Sequence, residues 1–150
     1  MARWITTRSA CWRATRRGGW RGRAPRRAWR SRCADGWAIR RRSAAGLYVE
    51  AGVGGATSTG LGEEVTRIAG TARVVASMRA GLSPQAACEE VVKHIAKLRG
   101  DAIKGVQVGF LALSPQGEVG AFCLLPGFTY AVTDAAGRTV VRKGRSLFAA

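Results

Sequence analysis

Hydrophobic periodicity begins at Gly46 and is missing before it, so only residues 46–150 carry the pattern of a packed fold. Residues 1–45 hold 14 arginines, all five tryptophans, no lysine and one acid, Asp35, which places +13 of the chain's +16 in that tract. The other +3 is ordinary for a globular domain. A part of about a hundred residues is small for an independent core, and this predicts a fragment or half of a larger sandwich. No apolar run approaches the roughly 18 residues of a membrane span, and no secretory-signal core is present, so the folded part reads as soluble with no membrane partner. Cys11, Cys33, Cys88 and Cys123 form no CxxC pair and no zinc-like spacing with the one histidine, His94; no metal or cofactor is expected. Cys88 and Cys123 read as buried free thiols, and His94 as a rim residue.

From Gly62 onward the local signals agree. Glu63 and Glu64 sit at the positive end of a predicted helix whose stripe is Val65, Ile68, Ala72, Val75 and Met78, stopped by Gly81. Ser83 then caps a second helix, with Pro84 at its first position, an apolar stripe of Ala87, Cys88, Val91, Val92, Ile95 and Leu98, and Gly100 at its end. The rest is strand-like. Val106 to Leu113, Val119 to Leu125, Phe128 to Val132 and Arg138 to Val141 are separated by turn signals, the first being Ser114-Pro115-Gln116-Gly117. Residues 142–150 carry no clear signal. By residue pattern alone this is one antiparallel meander with a helical pair on one face.

The glycine-rich stretch from Gly52 to Gly62 precedes the helices. Its Thr57-Ser58-Thr59-Gly60-Leu61-Gly62 run places hydroxyls and backbone amides before a helix start, where an anion or a developing oxyanion could be held. A plain capping loop explains the same spacing. The stretch lacks GxxxxGK[ST], which argues against a nucleotide phosphate loop.

The segments Gly46-Leu-Tyr-Val-Glu50, Val53-Gly-Gly-Ala-Thr-Ser-Thr-Gly-Leu-Gly-Glu-Glu64, Val106-Gln-Val-Gly-Phe110, Gly117-Glu-Val-Gly-Ala121, Gly127-Phe128 and Tyr130-Ala-Val132, in that order, resemble the β-subunit of glycosylasparaginases. These are N-terminal-nucleophile hydrolases of the type 2 asparaginase group, and the similarity runs from about residue 46 to 134. The resemblance implies two stacked sheets flanked by helices, built from an α- and a β-subunit cut from one precursor by autoproteolysis and assembled as a hetero-oligomer. It implies a threonine nucleophile whose own freed α-amine is the base, acting on asparagine side-chain amides. The family's threonine–glycine oxyanion-hole pair falls on Thr59 and Gly60. An arginine and an aspartate in the family's GRVGDSP segment bind the substrate. That segment and the HDTIGM nucleophile motif belong upstream of Gly46, and neither is present in frame; Thr6 and Thr7 lack the context.

Three readings compete for residues 1–45: an arginine-rich nucleic-acid arm with tryptophans for stacking, an organelle transit peptide, and translation out of frame. Codons favour the third. Trp37-Ala38-Ile39-Arg40-Arg41, read from the last base of the tryptophan codon, permits Gly-Asp-Ser-Pro, and Ala34, Asp35 and Gly36 permit Gly-Arg-Val before it. Ile5 to Cys11 permits His-Asp-Thr-Ile-Gly-Met in the shifted frame, and Ala24 to Arg27 permits Thr-Thr-Ser-Gly. One extra nucleotide near Gly46 would join the frames.

The expected fold is therefore α/β: a fragment of an N-terminal-nucleophile hydrolase αββα sandwich, two helices plus antiparallel sheet, with residues 1–45 disordered or poorly ordered. The expected function is amide hydrolysis at the family level, in a chain inactive as written. The alternative is a basic nucleic-acid-binding protein using the arm, although any such polycation binds nucleic acid nonspecifically.

Overall fold

The structure, a computed structural model, describes residues 4–7, 10–14, 20–23, 44–103, 105–134 and 136–149. In chain order the elements are β1 (Trp4–Thr7), β2 (Ala10–Ala14), β3 (Trp20–Arg23), β4 (Leu47–Glu50), β5 (Gly54–Gly60), α1 (Gly62–Arg67), α2 (Gly70–Arg79), α3 (Pro84–Arg99), a 3-10 turn (Gly100–Ile103), β6 (Val108–Leu113), β7 (Val119–Cys123), β8 (Thr129–Thr133), β9 (Thr139–Lys143) and β10 (Arg145–Ser146). They form two sheets, ordered β10-β7-β6-β5-β4 and β3-β2-β1-β8-β9. All pairings are antiparallel except β10 with β7.

The first sheet is the middle layer. Strand residues alternate between faces, and in β6 Val108, Phe110 and Ala112 pack against the helices while Leu111 and Leu113 pack on the other side with Ala121, Phe128 and Tyr130. Both faces are covered, which is why all six β6 residues are buried and why its sequence is a continuous apolar run. The helices pack as their caps and stripes require. In α3 the Ser83 hydroxyl accepts from the Ala86 amide at 3.3 Å, and Ala87, Cys88, Val91, Val92 and Ile95 are at most 1 % exposed. Leu98, assigned to the same stripe by spacing, is 53 % exposed instead, because it lies in the last turn of the helix, beyond the buried stretch that ends at Ile95.

Two expectations change. The first predicted helix is two helices, α1 and α2, broken at Ala69, which adopts a left-handed φ of 50°. The chain resumes in a new phase at Gly70, where a Cβ would come within 2.7 Å of the Phe110 ring and only glycine fits. The stripe consequently includes Thr71 and Val74, both fully buried, while Ala72 is only partly covered. The Ala72 amide, near the start of α2, donates to the Ala44 carbonyl in place of a side-chain cap.

The single meander is also replaced by two sheets. After Leu125 the Pro126-Gly127 pair redirects the chain, Gly127 having φ 98°, and β8 joins the second sheet rather than pairing with β7. The vacated edge of β7 is taken by the tail, which gave no periodic signal: β10 is too short for one, yet Leu147 and Phe148 extend its attachment by donating to Cys123 and Leu124. The second sheet includes β1 to β3 from the arginine–tryptophan tract; β1 lies beside β8 with Ile5 opposite Val132. Apart from Ala44 and Ala45, the rest of that tract, including Cys33 and the shifted GRVGDSP codons, lies outside the described residues. The layers present are helices, sheet, sheet, an α/β arrangement consistent with a fragment of the N-terminal-nucleophile hydrolase sandwich.

Candidate functional site

The glycine-rich stretch is a strand, β5, rather than a loop. Its small residues have steric causes. A Cβ on Gly54 would meet the Leu113 carbonyl oxygen at 2.4 Å, and one on Gly60 would meet that of Gln107 at 2.0 Å, with both glycines at positive φ. The strand therefore needs glycine at both ends to lie this close to β6.

Two of the three hydroxyls read as anion ligands are turned elsewhere. Thr57 Oγ1 donates to the Gly46 carbonyl and Ser58 Oγ to that of Ala45, each at 3.1 Å. They clamp the turn through which the chain enters the domain. The helix that follows does not supply an anion site either: α1 has six residues, Leu61 at its N-cap makes no side-chain cap, and Glu63 and Glu64 fill its first turn. The generic helix-terminus reading is thus not supported, and any role for Thr59 and Gly60 rests on their position in the sheet.

That position is specific. Thr59 lies opposite Gly109 on β6, and Gly109 lies opposite Cys123 on β7. By alternation these three share the face of Leu111, Leu113 and Ala121, the face turned toward the second sheet. Phe128 covers Gly109, its ring lying 3.5 Å from where a Cβ there would sit, an ordinary van der Waals contact, and it stacks near Tyr130 with centroids 6.3 Å apart. Thr59 is half-buried and Gly60 exposed, so the row opens to solvent at the end of the inter-sheet face.

Burial pushes the Cys123 thiol above its usual range, against a backbone hydrogen bond from Phe128, and its single proton faces the Leu125 and Arg145 carbonyls, 3.1 and 3.3 Å from Sγ. Cys88 is free and buried as well, its thiol likewise raised by desolvation. His94 is partly exposed on α3, in keeping with a rim residue. Among the described residues no group of three His, Cys, Asp or Glu side chains could hold a metal ion.

Sequence reasoning missed two supports. Glu64, read as a first-turn acid, is 2 % exposed and accepts a short hydrogen bond from Arg99 at the far end of α3, with Arg67 at 3.6 Å. The Arg99 bond holds the Glu64 carboxyl below its usual range, against the opposing effect of burial. This pair anchors α1, the element that continues from Gly60. The second support is Gln107, whose side-chain amide donates to the Leu125 carbonyl at 2.6 Å and accepts from the Leu125 amide at 2.8 Å. Neither has a local signature, since the partners are 35 and 18 residues apart.

Residues 42–141 match the family model described as Asparaginase. Over 106 residues the chain is 47 % identical to an N(4)-(Beta-N-acetylglucosaminyl)-L-asparaginase of Elizabethkingia miricola, a match covering 69 % of this chain and 31 % of the relative. Over 91 residues it is 36 % identical to a Drosophila grimshawi protein described as a putative N(4)-(beta-N-acetylglucosaminyl)-L-asparaginase, covering 60 % of this chain and 22 % of that one. The chain spans less than a third of the length of these curated relatives. The family-model match and the identity to the Elizabethkingia relative lead to one conclusion: the chain belongs to the asparaginase family, in the type 2 group that contains the glycosylasparaginases.

Proposed function

We propose that this chain is the β-subunit part of an amidohydrolase that cleaves asparagine side-chain amides, either N4-linked N-acetylglucosaminyl-asparagine or related asparagine and β-aspartyl amides. The observation that carries the reading is the placement of Thr59 and Gly60 at the solvent-open end of the inter-sheet row, in a chain 47 % identical to a relative named for that reaction. In this reading Thr59 and Gly60 stabilise the oxyanion formed when a threonine hydroxyl attacks the amide carbonyl. The nucleophile's own α-amine takes the hydroxyl proton and passes it to the leaving nitrogen. The α-subunit of the same precursor supplies the rest of the sandwich.

The chain as written is inactive in this proposal, because no threonine in frame stands in the nucleophile context and residues 1–45 are off-frame translation. Resequencing the codons around Ala45 and Gly46 tests the frame directly: one extra nucleotide is expected, and an unaltered reading frame would overturn it. Purified chain is expected to release neither ammonia from asparagine nor sugar amine from the glycosylated amide; measurable turnover would overturn the inactivity. In a frame-restored precursor, Thr59→Val should lower kcat by about 10²- to 10³-fold, the usual loss of one oxyanion donor. Unchanged kcat would remove Thr59 from the site.

A further inference from the structure

We propose that Gln107 is a positioning residue for the Thr59–Gly60 segment. The β6·β7 ladder ends at Gly109 and Cys123, followed by one more backbone bond, Leu124 amide to Val108 carbonyl at 2.9 Å. Gln107 immediately precedes β6, outside the strand's register with β7. Its side-chain amide takes over as a surrogate strand, donating to the Leu125 carbonyl and accepting from the Leu125 amide. This pins the backbone of residue 107 from one side. From the other side the same residue's carbonyl accepts the Leu61 amide at 2.8 Å and is the atom that a Cβ on Gly60 would strike.

One residue therefore joins two segments: Thr59-Gly60-Leu61 through its main-chain oxygen, and the Leu125-Pro126-Gly127 turn that carries Phe128 over Gly109 through its side chain. The neutral amide is the chemistry required, because it presents one donor and one acceptor side by side. A carboxylate accepts from the Leu125 amide but faces the Leu125 carbonyl with no proton. The functional consequence rests on the oxyanion role of Thr59 and Gly60, whereas the coupling itself does not.

The test is a pair of variants of the full chain, followed by amide NMR. In Gln107→Glu, the Gly60, Leu61 and Leu125 amides should titrate together as the new carboxyl loses its proton, with wild-type-like shifts recovered on the acid side; the wild type should show no such common transition. Movement of Leu125 without Gly60 and Leu61, or no movement at all, would overturn the coupling. Should Gln107→Glu fail to fold, Gln107→Met keeps the length without the polar pair. It should raise hydrogen exchange at Leu61 at least about tenfold while Val91 in α3 is unaffected, and unchanged exchange at Leu61 overturns the proposal. A negative result here leaves the oxyanion assignment standing, and an inert Thr59→Val in the frame-restored enzyme leaves the coupling standing.

Discussion

The two sheets differ in how many of their faces find a partner. Strand β6 is buried at every position because helices lie on one side and a second sheet on the other. Strand β9 is exposed at every position, with Val140 and Val141 at 54 % and 69 %. Both strands are rich in β-forming residues, so propensity does not separate them. What separates them is cover: β6 has two layers upon it, whereas β9 pairs with β8 on one side and carries Arg142 and Lys143 into solvent. Charged residues of this kind are how exposed sheet edges resist unwanted pairing.

The comparison breaks most sharply at Phe110, which is fully buried and lies against Gly70 where the helices divide. Phe110→Ala should cost about 4 kcal/mol in chemical denaturation, enough to unfold a domain of this size, from lost transfer energy plus the cavity. Next comes Gly120→Ala. Its new Cβ would fall 2.2 Å from the Pro84 carbonyl carbon, so α3 must lift from β7 at about 3 kcal/mol, visible as a lower melting temperature and faster exchange along β7.

Glu64 sharpens the comparison on the helical side. Glu64→Gln should cost about 2 kcal/mol at neutral pH, since it weakens a charge-assisted hydrogen bond to Arg99. Because the folded carboxyl titrates below its usual value, its stabilisation is complete above the ordinary carboxylate range and is lost as pH falls through the lowered folded value. The gap between wild type and Glu64→Gln should therefore close in acid, and a gap constant down to strongly acidic pH would refute the pairing. Smallest is Val141→Thr on the open strand, expected within about 0.5 kcal/mol of wild type. A large loss there would show that this face is covered after all.

Much of the local structure was legible. Ser83, Pro84 and Gly100 bracket α3 through contacts only a few residues apart, so short-range chemistry suffices to read them. The β6 run was legible for a similar reason, its apolar residues being continuous. The division of α1 from α2 was not, because nothing in the local pattern marks Ala69 as left-handed, and the residue that Gly70 fits against, Phe110, lies 40 residues away. Nor was the departure of β8 into a second sheet, since period-two patterning states that a strand has two faces and is silent on which neighbour it joins. At the site, the hydroxyl partners of Thr57 and Ser58 were not legible, because the carbonyls of Gly46 and Ala45 come close only once β4 pairs with β5.

The amino-acid sequence by itself determined which family the chain joins, that Pro84–Arg99 is a helix and that the Val108–Leu113 run is a strand, because periodicity, capping and motif order act over short spans of chain. Only the tertiary structure decided which glycines are sterically required, how Glu64 meets Arg99, and how Gln107 joins the Thr59–Gly60 segment to the Phe128 turn. Those contacts form between residues far apart in the chain, and a buried polar group takes whichever partner packing brings within reach.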